Sequence, residues 1–268
     1  MNVDIEFICI GNELLIGKVE NTNAHWLATQ ATLLGATVRR VTVIQDIVEE
    51  IAICLQEASA RNPHFIITTG GLGPTFDDKT FQGIAKALNQ PLKINPQALE
   101  MVRTKCNEYA QRRGLTQEIE MTPPRTKMAT LPENAQPIPN PVGTAPALKV
   151  QIGSSTLFAL PGVPLEMMAI FTQTIAPLIK QTAGSSIFCQ QSLFVKGIAE
   201  AQLAPLIDKV MSNNAGVYVK SHPIALHSDN VPHIELHLTL TIAQEHNPDK
   251  MLQRAIEQLT QLIEQTKT

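Results

Sequence analysis

Two adjacent carboxylates, Asp77 and Asp78, follow glycines at 70, 71 and 73 and a hydroxyl at Thr75. Glycines allow close approach to the main chain, and the amides they expose suit the oxygens of a phosphate. The carboxylates suit a divalent cation beside that phosphate or a proton transfer. The stretch FIITTGGLGPTFDDKT, Phe65 to Thr80, therefore reads as a candidate diphosphate site. Its spacing matches neither a P-loop, since no Gly-Lys-Ser/Thr follows, nor the dinucleotide fingerprint. The structural alternative is a tight β-to-α turn, with Asp77 or Asp78 capping the helix marked by Phe81, Ile84, Ala85 and Leu88.

Strands and helices must position that loop. Phe65 to Thr69 is apolar and β-branched, as in a buried parallel strand. Val3 to Ile10 reads as a first strand running into Gly11-Asn12-Glu13-Leu14-Leu15-Ile16-Gly17, a second glycine-bounded loop. Asn21 or Thr22 can cap a helix carrying Ala24, Leu27, Ala28, Ala31 and Leu34, which Gly35 ends. Trp26 sits beside that stripe and suits packing or a dimer contact. Val38 to Ile44 is a second strand, and Asp46 with Glu49 spells a capping box for the next helix. Asn95-Pro96 opens a helix through Leu99, Val102, Cys106 and Tyr109 to Gly114. Thr122 to Lys127 is a turn-rich exit, followed by a short strand around Met128 to Leu131. Asn140 to Pro146, NPVGTAP, is irregular, and Ala147 to Ile152 with Thr156 to Leu160 forms a hairpin about Gly153-Ser154-Ser155. Leu160 to Met167, LPGVPLEM, then enters a helix at Pro164. Alternating strands and helices imply an α/β fold whose parallel sheet is covered on both faces, with ligands at the carboxyl ends of the strands.

The 268 residues, 44% hydrophobic and 17% charged, can bury one large or two modest cores. A net charge of −3 offers no general electrostatic case for nucleic acid. No apolar run approaches a bilayer span, and Met1 to Gly11 carries Asp4 and Glu6 where a secretory signal would be basic and then apolar. A cytoplasmic protein with no membrane partner is expected. Cys9, Cys54, Cys106 and Cys189 are widely spaced and read as free thiols.

Ala183 to Ser186 is the best linker, which divides the chain into domains 1–182 and 187–268. Beyond it, Ser192 to Lys196, Glu200 to Met211, Val217 to Ser221, His233 to Ile242 and Pro248 to Gln265 read as a βαββα unit. His233, Glu235 and His237 share one strand face, where a solvated face is preferred to a metal site.

The string TTGGLGPTFDDKT resembles the GGLGPTxDDxT signature of the competence/damage-inducible protein A (CinA) family, a branch of the molybdopterin-binding, MogA/MoeA-like fold. The order GNELLIG, TTGGLGPTFDDKT, NPVGTAP, LPGVPLEM is similar to the CinA amino-terminal domain over about residues 3 to 180. Val217 to Pro223, VYVKSHP, resembles the small KH-type domain that follows it; with no GxxG clamp, RNA binding does not follow. The chain departs from the family at Ala147, where glycine is usual, near Met128, where glutamine is usual, and near Asn134, where glycine is usual. Full-length CinA proteins carry a further amidohydrolase domain; this chain ends at Thr268, so that activity is not expected to carry over.

The resemblance implies a three-layer, mostly parallel MogA/MoeA-like sheet plus a small α+β domain. It also implies a nucleotide pyrophosphatase acting on ADP-ribose or a related dinucleotide. The alternatives are pterin binding or adenylyl transfer, and a non-catalytic nucleotide-sensing dimer. In molybdopterin adenylyltransferases one catalytic aspartate follows the second strand and another sits in the glycine loop, and the matching positions here are Asp46 and Asp78. On this reading Asp46, Asp77 and Asp78 hold Mg²⁺, Mn²⁺ or Co²⁺, with K⁺ as a possible addition. Gly11, Asn12, Glu13, Thr69, Gly70, Gly71, Leu72, Gly73, Thr75, Thr80, Asn140, Gly143, Thr144, Pro161 and Gly162 surround the nucleotide or pterin. A homodimer is expected from family habit.

Overall fold

The strand β1 (Val3–Ile10) is buried at nearly every position, as its apolar run requires. In the computed structural model, which describes residues 3–114, 119–184, 186–224, 231–243 and 247–267, β1 is followed by a short turn of helix, α1 (Asn12–Leu15), inside the expected GNELLIG loop. Then come α2 (Thr22–Leu33), β2 (Ala36–Ile44), α3 (Val48–Ala60), β3 (Phe65–Thr69), α4 (Thr80–Ala87), β4 (Leu92–Ile94) and α5 (Pro96–Arg112). Asn21 accepts the Ala24 amide and Asn95 accepts that of Ala98, so both expected asparagine caps form. The chain continues through α6 (Pro123–Lys127), β5 (Thr130–Pro132), β6 (Gln136–Ile138), β7 (Ala147–Ile152), β8 (Ser155–Leu160) and α7 (Pro164–Ile170). A π-helical turn, Phe171–Ile175, leads into α8 (Ala176–Ala183), and Trp26 packs edge-on against Phe171 with ring centroids 5.5 Å apart.

The main sheet has the order β2-β1-β3-β8-β7-β6. Its first four strands are parallel, and β7 alone runs against the rest, pairing antiparallel with β8 on one side and β6 on the other. On one face Ile8, Ile10 and Ile66 pack with Ile51 and Leu55 of α3, Ile84 of α4 and Val102 of α5. Ile5, Phe7 and Ile67, which alternate with them, are equally buried on the other. Register decides where the loops emerge: Ile10 lies opposite Ile44, Cys9 opposite Thr69 and Thr69 opposite Leu160. The four parallel strands therefore end together, at one rim. Because β1 connects outward to β2 and β3 lies on its other side, this rim contains a topological switch point.

Two short strands, β4 and β6, escaped the sequence reading, because three residues each are too few for a period to register. β4 pairs with β5 in a separate antiparallel sheet. The strand expected from Met128 begins instead at Thr130, because the Met128 and Ala129 amides still bond Arg125 and Thr126 as α6 unwinds. The hairpin loop tightens to Gly153-Ser154, with Gly153 at φ +57°.

A second compact unit runs from Ala183 onward. It contains β9 (Ser186–Lys196), α9 (Glu200–Asn213), β10 (Val217–Ile224), β11 (His233–Ala243) and α10 (Pro248–Lys267), with the antiparallel order β10-β11-β9. This is the expected βαββα sequence, with longer strands. Ile234, Leu236, Leu238 and Leu240 are buried with Leu203 and Val210 of α9 and Leu252 and Leu259 of α10. Of the expected linker, Ser186 already belongs to β9 and Ser185 lies outside the described residues. Among the described residues no helix is long and apolar enough to cross a membrane, and all four cysteines are free thiols.

Candidate functional site

The glycine loop leaves β3 at the switch point. Gly70 has φ +100°, and a Cβ there would stand 2.2 Å from the Ile10 carbonyl oxygen, so only glycine lets β3 exit beside the end of β1. The Gly70 amide donates to Leu160 O at 3.0 Å. Thr80 closes the loop from the other end: its hydroxyl donates to Gly70 O at 2.8 Å and its amide to Gly71 O at 3.1 Å. Both groups were expected to meet a ligand, but the Gly70 amide is spent on the end of β8 and the buried Thr80 hydroxyl on the loop itself. The amides of Gly71, Leu72 and Gly73 find no acceptor among the described residues.

Neither aspartate caps α4. Its first flanking residue is Lys79, with no side-chain cap. Asp78 Oδ2 instead accepts the Thr75 amide at 2.8 Å, and the Thr75 hydroxyl lies 2.5 Å from both Asp77 Oδ1 and Asp78 Oδ2. One proton serves one of them at a time. From α6 the Lys127 ammonium donates to Gly73 O at 3.3 Å and to Thr75 O, pinning the loop backbone.

The capping box at Asp46 is likewise not formed. Ile47 precedes α3 without a side-chain bond, and Asp46 Oδ2 accepts the Asn12 amide at 2.9 Å. A neighbouring loop, brought alongside by strand pairing, has outcompeted the local helix for this carboxylate. The exchange turns Asp46 towards Glu13, Asp77 and Asp78. Burial pushes the Asp46 carboxyl above the ordinary range, the Asn12 bond opposes this, and the three neighbouring carboxylates add to the rise. Asp77 is held below the ordinary range, first by the Thr75 hydroxyl. Burial pushes Lys127 down, against the charges of Asp78 and Asp77. Among the described residues no three His, Cys, Asp or Glu side chains form a ready-made metal cluster. The donor set is one or two carboxylates in surplus negative charge. That suits a hard cation completed by waters and ligand phosphates rather than by a protein cage.

The opposite wall is organised by Asn140, only 3% exposed. Its Nδ2 donates to Ala145 O at 2.9 Å and Glu166 Oε2 at 2.6 Å, while its Oδ1 accepts the Val142 and Gly143 amides at 3.1 and 2.8 Å. A Cβ on Gly143 would lie 2.1 Å from the Glu166 carboxyl carbon, so this glycine makes room for that side chain. Asn140 and Gly143 therefore shape the loop and seat Glu166; they do not line the cavity in front.

That cavity has a volume of about 820 Å³. It brings together Gly11, Glu13, Asp46, Gly70, Gly71, Leu72, Gly73, Asp77, Asp78, Thr144, Pro161 and Gly162. Asn12, Thr69, Thr75 and Thr80 stand behind its surface: Asn12 through its bond to Asp46, Thr69 buried at the end of β3, the other two as loop braces. Among the lining residues not anticipated as site residues are Tyr109, Arg125, Met128 and Glu166. Glu166 stood inside LPGVPLEM, and Tyr109 follows Cys106 at helical spacing, so both had a signal. Arg125 lay in a segment read only as a turn. Of the departures from the family pattern, Met128 faces the cavity, whereas Ala147 is fully buried at the start of β7.

Residues 6–181 match the family of the probable molybdopterin binding domain. The chain belongs to that family. A protein of Pyrobaculum calidifontis is 43% identical over 256 residues, 96% of this chain and 94% of that protein. One of Aeropyrum pernix is 46% identical over 216 residues, covering 81% and 77% respectively. The crystal structure of the protein CinA, of unknown function, from Thermoplasma acidophilum matches with a TM-score of 0.58 at 38% identity, over 65% of this chain and 98% of that one. The first unit is thus a CinA-like molybdopterin-binding domain on the MogA/MoeA-like fold, as its four motifs implied.

Proposed function

We propose that this domain hydrolyses the diphosphate of ADP-ribose or a related dinucleotide. The observation that carries the reading is the placement of the unpaired Gly71, Leu72 and Gly73 amides and the Asp46 and Asp78 carboxylates on one cavity. Backbone amides fixed by the Gly70 and Thr80 bonds would hold diphosphate oxygens without reorganising. Asp46, made more basic by burial and by its neighbours' charge, would take the proton from the attacking water. The water oxygen bonds to one phosphorus, the bridging P–O bond breaks, and AMP and ribose 5-phosphate leave. With Asp46 serving as base, Asp77 and Asp78 would hold Mg²⁺, Mn²⁺ or Co²⁺, whose charge would offset that of the diphosphate and of the leaving oxygen.

The test is chromatographic detection of AMP from ADP-ribose with each metal, with and without K⁺, in the parent chain and in Asp78→Asn. Undiminished hydrolysis in the variant would remove these carboxylates from the mechanism.

A second reading, pterin binding, is favoured by the family itself. Met128 and Tyr109 give the cavity an apolar wall suited to a flat ring of either kind. Thermal shift with ADP-ribose, NAD, FAD, AMP and pterin separates the two, since a specific ligand raises the melting temperature by mass action. The homodimer belongs to the same proposal, supported by the exposed apolar side chains Ile16 and Leu165, and light scattering tests it.

A further inference from the structure

We infer that the glycine loop is a shared wall between two subsites, so that the preferred substrate carries a heterocyclic base on each side of its diphosphate. The inference rests on the diphosphate reading above. A second cavity of about 440 Å³ is lined by Gly71, Leu72, Gly73 and Asp78, the same residues that wall the larger one. Its volume falls within the range of small-molecule pockets. Phosphate oxygens held by the three free amides would therefore sit where both cavities begin, with one half of the ligand entering each.

The remaining walls name the chemistry of the second half. Phe81, Leu92, Met121 and Pro123 are apolar and suit the flat faces of a ring. Lys127 also reaches this cavity, but its ammonium is bonded to the Gly73 and Thr75 carbonyls. It is therefore committed to the loop and is not offered to a further phosphate. Gln82 on α4 supplies the polar signal. Its Oε1 is shielded from water and has no hydrogen-bond partner among the described residues, a state that folded proteins rarely leave uncompensated. Rotation about the last side-chain bond would turn either the oxygen or the amide nitrogen of Gln82 to a ligand. One carboxamide can then meet the paired donor and acceptor edge of a base. A bare sugar phosphate would bury neither the rings' apolar wall nor this amide.

The experiment is calorimetry on the full chain with two hydrolysis-resistant ligands: methylene-bridged ADP-ribose, with one base, and methylene-bridged diadenosine diphosphate, with two. The second base should tighten binding by about tenfold in the parent chain. Leu92→Trp, which fills the small cavity, should erase that advantage while leaving the one-base ligand within about twofold. Gln82→Leu, nearly isosteric and safer for folding, should reduce it by about fivefold. Equal affinities in the parent chain would overturn the inference, as would variants that weaken both ligands alike. Tight two-base binding with no turnover of the natural diphosphates would keep the subsite and remove only the hydrolase; binding of neither ligand would remove both.

Discussion

Polar residues on the rim of the parallel sheet and on the antiparallel sheet of the second unit look alike in sequence, yet they end in different physical states. At the rim, Gly71, Leu72 and Gly73 keep amides that no acceptor among the described residues takes, and Asp46 is pushed upward by burial beside Glu13, Asp77 and Asp78. On β11, His233, Glu235 and His237 alternate with core residues, as a ligand set might. There Glu235 accepts the Ser192 hydroxyl at 2.6 Å, and His237 faces His222 with ring centroids 6.3 Å apart. A half-exposed strand face satisfies its polar groups with cross-strand neighbours and water. A rim where four strands end has no such neighbours, and its unmet donors and crowded charges are available to a ligand.

The contrast can be broken most severely at Asp78. Asp78→Asn can still accept the Thr75 amide, so circular dichroism should be unchanged while AMP release falls by about 10²- to 10³-fold. Next, Asn140→Leu removes a buried hub of four hydrogen bonds and should cost about 3 kcal/mol in urea denaturation. A smaller effect of opposite sign belongs to Asp46. Because its folded pKa is raised, the folded chain holds that proton more tightly than the unfolded chain, and the charged form costs stability above the ordinary carboxylate range. Asp46→Asn, which keeps an acceptor for the Asn12 amide, should therefore be more stable at pH 7 by less than about 1 kcal/mol. The gain should fade as pH falls below the ordinary carboxylate range, while hydrolysis is lost at every pH. Smallest of all, Glu235→Gln should change stability by no more than about 0.5 kcal/mol and leave ligand binding untouched. A large loss of binding there would erase the contrast.

Much of this was legible in the residues. The apolar run Phe65 to Thr69, the asparagine caps at 21 and 95 and the glycines at 70, 71 and 73 each act over a few positions, so their meaning is local. The roles of Asp46, Thr80 and Asn140 were not. Asp46 and Glu49 satisfy every local requirement of a capping box, and only the pairing of β1 with β2 delivers the Asn12 amide that displaces it. Asn140 reads as a loop residue beside a proline until Glu166, distant in sequence, arrives to accept its amide.

Taken alone, the chain determined its alternation of strands and helices, the places where glycine must turn the backbone and the family to which its motifs belong, because propensity, sterics and spacing are properties of neighbouring residues. Tertiary structure alone decided which polar atoms remain unpaired. Hydrogen bonds are allocated by competition among groups brought close in space, and at the rim the amides of Gly71 to Gly73 are left without an acceptor among the described residues.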